Sequence, residues 1–505
     1  MHPVPGRLMR GFLEKTAGID TRSLAAFRIG LAAVTLFDLL MRSGNVDLHY
    51  SEVGVLPSEE LDRLFLHTPW GWTLHGSLAG SSFLFGIAVV AAAALLVGWR
   101  TRLATALTWL LAVSLHARNP MLQFGGDHLL RVLLFWGMFL PLGAVWSVDA
   151  RGEEGAARGR FISVASGAIL VQIALMYGFT GLFKLNDAWL NGDALGRALS
   201  SAMFAKPLGQ ALAGQLHLAP WLGPAIPFVE MGGAVALIVS GGTPRFRLMI
   251  VWGFAFFHLL ICCLIETWHF QALALSALFL FLPGTFWDRF TGPQADASRI
   301  ASSASGLVAE TLAALLLLYV IAWNALSLNE RAFARDHLFL WVAEQSDEGR
   351  SPRFMLPGYA VERRLGPLGW VGRALGLYQR WDMFSSGGDV ADQWHMVIGT
   401  LNNGERISML EDGLPYEGPG HRRPSRIADL YPDVRWKVHF RYLMTSGAAR
   451  ELLAQPLADH WNRREPERQV SELEVLLFQE GAAVTGIARK REVESWFRSR
   501  VKPLP

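Results

Sequence analysis

The sequence predicts a polytopic α-helical membrane protein of about nine spans with a C-terminal soluble α+β domain. Three observations predict it. The 505-residue chain has a mean hydropathy of +0.27 and 18% charged residues, where soluble domains carry about 25%. The charge is unevenly spread, since 40 of residues 1–329 are Asp, Glu, Lys or Arg against 49 of residues 330–505. Nine apolar segments, about 23–41, 78–98, 103–117, 128–147, 161–183, 221–240, 248–266, 269–286 and 306–328, are near the length of roughly 17–25 residues that crosses a bilayer core as a helix.

The first segment follows a cationic stretch, lacks a small-residue cleavage site and contains Arg28 and Asp38. It reads as a retained anchor behind a cytoplasmic segment 1–22, not as a removed signal peptide. The third and eighth segments are short. With the N-terminus inside, the inner loops carry 13 Lys and Arg and the outer loops 6, the bias expected of cytoplasmic loops. An odd number of spans then places the C-terminal domain outside the cytoplasm, as in a protein of the bacterial inner (plasma) membrane.

After the bundle (23–328), a Pro/Gly-broken connector (329–374) leads into a domain at 375–505. There, Trp394–Gly399 and Ile407–Leu410 flank Asn402-Asn403-Gly404, and an Asn-Gly pair between apolar runs signals a hairpin. Arg435–Met444 and Leu473–Phe478 read as further strands with a helix near 448–463 between them, and Trp394 and Trp436 are expected in the core. A net charge of +3 without a basic run excludes a nucleic-acid partner. The only cysteines, Cys262 and Cys263, are adjacent in an apolar helix, which suits neither a structural disulfide nor a thiolate metal site.

Ionisable groups at membrane depth are costly and tend to mark function. The candidates are Arg28, Asp38, Asp127, His128, Arg131, Lys184, Glu230, His258, Glu266 and His269. Arg131 lies one turn from Asp127, within reach of a local ion pair. Glu266 and His269 have the Glu-x-x-His spacing of di-iron bundles, which need two such motifs and two further carboxylates. With a single motif present, no metal is expected. Lys184 ends the fifth segment and has two readings. It snorkels to the headgroups, or it is partly desolvated, with its pKa drawn below about 10.4 so that a neutral amine serves as a base.

Arg118-Asn119-Pro120, Gly125-Gly126-Asp127-His128 with Arg131, and Trp146-Ser147-Val148-Asp149 resemble the HTTM domain, the membrane domain shared with vitamin K-dependent γ-glutamyl carboxylase. The likeness covers roughly residues 18–330. Tyr177, Gly181, Lys184, Leu185 and Trp189 match a Tyr-x-x-x-Gly-x-x-Lys-Leu-x-x-x-Trp pattern. In the carboxylase that lysine is held to deprotonate vitamin K hydroquinone, so the resemblance implies Lys184 as base and that hydroquinone, or another quinol, as cofactor. The family's functional histidine falls near Gly126, with His128 the nearest histidine, and Phe257-His258 resembles a Phe-His pair in a late span. The resemblance thus implies Lys184 and His128 as catalytic residues, with Asp127, Arg131, Trp189 and His258 binding substrate.

Two readings of function stay open. One is a membrane enzyme that uses a quinol, with an extracytoplasmic peptide or protein as a further substrate. The other is a non-catalytic HTTM protein that binds a lipid or peptide in an immunity or export role.

Overall fold

The structure is a computed structural model that describes residues 16–64, 78–151, 159–213, 219–292, 298–300, 304–328, 361, 364–385, 392–418, 420–424, 426–443, 447–480 and 491–502. The long helices are α1 (Thr21–Ser43), α2 (Leu78–Val97), α3 (Thr101–Arg118), α4 (Gly125–Gly137), α5 (Val164–Phe183), α6 (Ala219–Val239), α7 (Pro244–Leu264), α8 (Phe270–Leu278) and α9 (Ala304–Ser327). Among the described residues, six helices are long and apolar enough to cross a membrane. A seventh span is present if Phe270–Phe281 and Gly284–Thr291, bent by 91°, count as one. These helices mark an integral membrane protein.

The segments expected at 128–147 and 269–286 are not continuous helices. Helix α4 stops at Gly137 and turns follow, because Pro141 disfavours helical backbone at Leu140. The bend after Phe281 has the same cause, with Leu282 extended (ψ 125) ahead of Pro283. Thirteen residues of α4 rise only about 20 Å, and all but its first are buried. So α4 is an interior helix that carries Asp127, His128 and Arg131 into the bundle.

Three short strands tie one end of the bundle together. Strand β1 (Ile19–Asp20) pairs antiparallel with β2 (Arg160–Ile162), which pairs parallel with β3 (Ser298–Ile300). They precede α1, α5 and α9, so these three helices start at the same end and run the same way.

At the opposite end lies the C-terminal module. Its five-stranded antiparallel sheet has the order β6 (Leu414–Pro415), β5 (Arg406–Ser408), β4 (Asp392–Leu401), β7 (Val470–Glu480), β8 (Arg491–Arg500). Strands β4 and β5 join at the predicted Asn402-Asn403-Gly404 turn, with Gly404 at φ 86. Trp394 and Trp436 are buried in one apolar cluster. The helix expected near 448–463 is α11 (Gly447–Arg464), beside α10 (Val434–Leu443).

Helix α10 corrects the strand expected at Arg435–Met444, of which Met444 lies outside the described residues. The alternation of Trp436, Val438, Phe440 and Tyr442 imitates a strand. Yet Trp436, Phe440 and Leu443 also lie on one helical face and pack into the module core. Asp433 starts the helix by accepting the N–H of Arg435 at 2.7 Å and of Trp436 at 3.0 Å. Leu377 and Trp381 pack in the core of the bundle.

His439 faces His49 at this junction, with ring centroids 6.3 Å apart. Burial pushes His439 down to about 3. Burial, then the nearby His439, Arg42 and Arg435, also hold His49 well below its ordinary value. Each imidazole is therefore neutral when folded and takes up a proton below about pH 6.5 when unfolded. Stability is full above that pH and falls on acidification, by at most about 1.4 kcal/mol per pH unit per group. The melting temperature is expected to drop between pH 7 and 4, and His439→Phe should flatten that slope.

Candidate functional site

The last two turns of α5 place Tyr177, Thr180 and Lys184 along one face, since residues three, four and seven apart lie above one another on a helix. Gly181 brings that face close to α6. A Cβ there would stand 2.7 Å from the carbonyl oxygen of Pro227 and 2.7 Å from Met231 Cγ. The approach lets Lys184 Nζ reach Glu230 Oε1 at 2.5 Å. Gly181→Ala is accordingly expected to cost about 1–3 kcal/mol by overpacking, read as a lower melting temperature in detergent.

Lys184, at 6% exposure, is buried beside Glu230 at 3%. It does not snorkel. Its ammonium lies 5.3 Å from the centroid of the Trp189 ring, and Trp189 Nε1 donates to the carbonyl of Phe384 at 2.9 Å. Glu230 Oε2 has no hydrogen-bond partner among the described residues.

Lys184, Glu230 and Trp189 line a cavity of about 600 Å³. Its walls are largely apolar, including Met176, Leu199, Ile226, Phe257, Ile261 and Phe270, and Val434, Val438 and Tyr442 of or beside α10 close the module side. Leu222 of α6 and Leu260 of α7 line the cavity and are also 54% and 42% exposed.

A second polar group lines the cavity one helix away. Tyr177 Oη lies 2.5 Å from His258 Nε2, and His258 Nδ1 lies 2.5 Å from Gln271 Oε1. An amide oxygen only accepts, so His258 donates from Nδ1 and its Nε2 accepts the hydroxyl proton of Tyr177. That leaves the lone pairs of Tyr177 Oη open. His128 also lines the cavity, with its ring 5.5 Å from that of Tyr378 and with Nδ1 unpartnered among the described residues.

Of the residues singled out in the sequence, Lys184, His128, Trp189 and His258 therefore share one cavity. Asp127 and Arg131 do not line it. Asp127 is fully buried in an ion cluster at the junction with the module. It accepts from Arg42 at 2.6 Å and from Arg435 at 2.5 and 3.0 Å. Asp38 accepts from Arg42 and from Arg435, each at 2.7 Å.

Arg131 donates to Gln123 Oε1 at 2.9 Å, contacts His116 Nδ1 at 3.0 Å and lies 4.3 Å over the Tyr378 ring. The expected Asp127–Arg131 contact is replaced by these partners. Ligand atoms of Asp38, His116 and Asp127 lie within 4.8 Å of one another, as a metal site requires. Two guanidinium groups already balance the two carboxylates there. Glu266 and His269 diverge, Glu266 pairing with Lys437 at 2.9 Å and His269 lying 3.3 Å from Asp38.

The sequence signalled Glu230 as a costly charge but gave no partner for it. Arg42 was legible only as a residue one turn beyond Asp38, and Gln271 carries no charge to draw notice. Arg435 gave no signal at all, because an arginine in a charged module is ordinary until the fold aims it into the bundle.

A model of the HTTM domain matches residues 17–285, a range that holds Lys184, Glu230, His128, Tyr177, His258 and Gln271. Neither the curated proteins nor the solved structures gave a match. With more than half of its 505 residues matched, the chain belongs to the HTTM domain family, the membrane-domain family that includes the vitamin K-dependent carboxylase.

Proposed function

We propose that the chain is an integral-membrane enzyme that takes vitamin K hydroquinone, or a related isoprenyl quinol, into the cavity with the ring at the Lys184–Glu230 end. One observation carries the reading: a buried ammonium–carboxylate pair, with one carboxylate oxygen unpartnered among the described residues, lines a largely apolar cavity. Apolar walls suit an isoprenoid tail, while the lining residues Glu230, Tyr177 and His128 supply polar groups for its hydroxyls. Quinol oxidation supplies electrons and, in the carboxylase, the strong base that removes a γ-proton.

Lys184 and His128 are the catalytic candidates on this reading, with Trp189 and His258 holding the ring. Asp127 and Arg131 brace the turn that bears His128. Carboxylation of an extracytoplasmic peptide or protein is the proposed use of the quinol. The test is mass spectrometry of lipids that copurify with the protein. A stoichiometric quinone supports the enzyme; bulk phospholipid alone supports a non-catalytic lipid-binding protein.

The proposed topology has an odd number of crossings, the N-terminus in the cytoplasm of a bacterium and the module outside its inner membrane. It is supported by the 13 to 6 distribution of basic residues and by strands β1–β3 and the module lying at opposite ends. With Cys262 and Cys263 replaced by Ser, a cysteine placed at Asn403 should react with an impermeant maleimide on intact cells. Labelling only after lysis contradicts it.

A further inference from the structure

Lys184 and Glu230 differ in which of them can accept a proton. An ammonium has no free lone pair. Lys184 sits 2.5 Å from a carboxylate oxygen with both side chains buried, the arrangement of an ion pair, and a buried pair broken by removing one charge is strongly destabilised. For Lys184 to act as the base, the pair must first be neutral, and the transfer would then create two charges in an apolar cavity. If the carboxylate accepts the proton instead, the site holds one positive and one negative charge before and after.

The geometry at Glu230 fits the second route. Oε1 receives the ammonium, and Oε2 is buried, has no hydrogen-bond partner among the described residues and belongs to a residue of the cavity wall. Tyr177 cannot compete as a base, because its own proton is already given to His258 and its lone pairs only receive a hydrogen bond. The pair is held in register by Gly181, which permits the close packing of α5 on α6.

We propose that Glu230, through Oε2, is the proton acceptor for a ring hydroxyl of the bound ligand, while Lys184 remains an ammonium and stabilises the oxygen that has lost the proton. This rests on the quinol reading above. The ring O–H bond breaks, an O–H bond forms at Glu230 Oε2, and the electron pair stays on the ring oxygen beside Lys184. The step involves no change of oxidation state.

The test uses the purified full-length protein and 2-methyl-3-farnesyl-1-naphthol, which lacks the second hydroxyl needed for oxidation to a quinone. Binding is read by equilibrium titration and ionisation by the longer-wavelength absorption of the naphtholate at pH 7. The parent is expected to bind the probe ionised. Glu230→Gln should lose the naphtholate band at least tenfold, and Lys184→Arg should keep it, since Arg holds the charge but does not deprotonate.

Should Glu230→Gln fail to fold, infrared difference spectra of the parent decide the matter: binding should add a protonated-carboxyl C=O band. A naphtholate band kept in Glu230→Gln and lost in Lys184→Arg overturns the assignment and makes Lys184 the base. So does a parent that binds the probe un-ionised, or one that gains no carboxyl band. A parent that does not bind the probe refutes the quinol reading itself.

Discussion

Arg435→Ala is expected to destabilise the full-length protein by about 3–5 kcal/mol, the cost of breaking a buried ion pair from one side. Arg435 leaves the module on α10 and meets Asp38 at 2.7 Å, Asp127 at 2.5 Å and the carbonyl of Leu122 at 2.8 Å. Its removal leaves two buried carboxylates with Arg42 as their one guanidinium partner among the described residues. Chemical or thermal unfolding in detergent measures the loss. Arg435→Ala combined with Asp127→Asn removes one charge of each sign, and the double variant should recover part of the stability, with a coupling of about 0.5–3 kcal/mol. A loss below about 1 kcal/mol in the single variant would mean that the module is held mainly by apolar contacts.

On the quinol reading proposed above, Lys184→Met is expected to lower quinol consumption by about 10² to 10³-fold, the usual effect of removing one preorganised stabiliser of a developing oxyanion. It also strands Glu230 in the cavity, so part of the loss appears as weaker folding. Lys184→Met/Glu230→Gln separates the two effects, because it removes both charges at nearly constant volume. The double variant should regain stability and remain inactive. Quinol oxidation by the purified Lys184→Met protein at the parent rate would contradict any chemical role for the pair.

The sequence made the architecture legible wherever hydrophobic length or turn chemistry acts locally. The apolar helices, the Asn402-Asn403-Gly404 hairpin and α11 depend on neighbours in the chain, and their residues announce them. Helix α10 was misread because a segment buried on nearly every side loses the one-sided pattern that separates helix from strand. Helix α4 was overextended for a related reason: apolar residues continue beyond Gly137, but Pro141 stops the backbone.

At the site, Lys184, Trp189, His128 and His258 were drawn from short motifs and from the cost of charge at membrane depth, and the fold gathers them on one cavity. Asp127 and Arg131 have the same local signature as His128. They meet other partners, though, Arg42 and Arg435 for Asp127 and Gln123, His116 and Tyr378 for Arg131. Which face of a wholly buried helix meets a ligand and which meets an ion cluster is decided by packing between segments up to 308 residues apart, and no local pattern records it.

The most direct test of the central claim is a binding titration of a farnesyl naphthoquinone against the purified protein and a variant with the cavity filled. Thr180→Trp places an indole beside Lys184 and Glu230 without touching either charge. The parent should bind one equivalent saturably, and Thr180→Trp should fold with the parent's melting temperature to within a few degrees and bind at least tenfold more weakly. Equal binding by the parent and a folded Thr180→Trp protein, or no saturable binding by the parent, would contradict the assignment of this cavity as the quinol site.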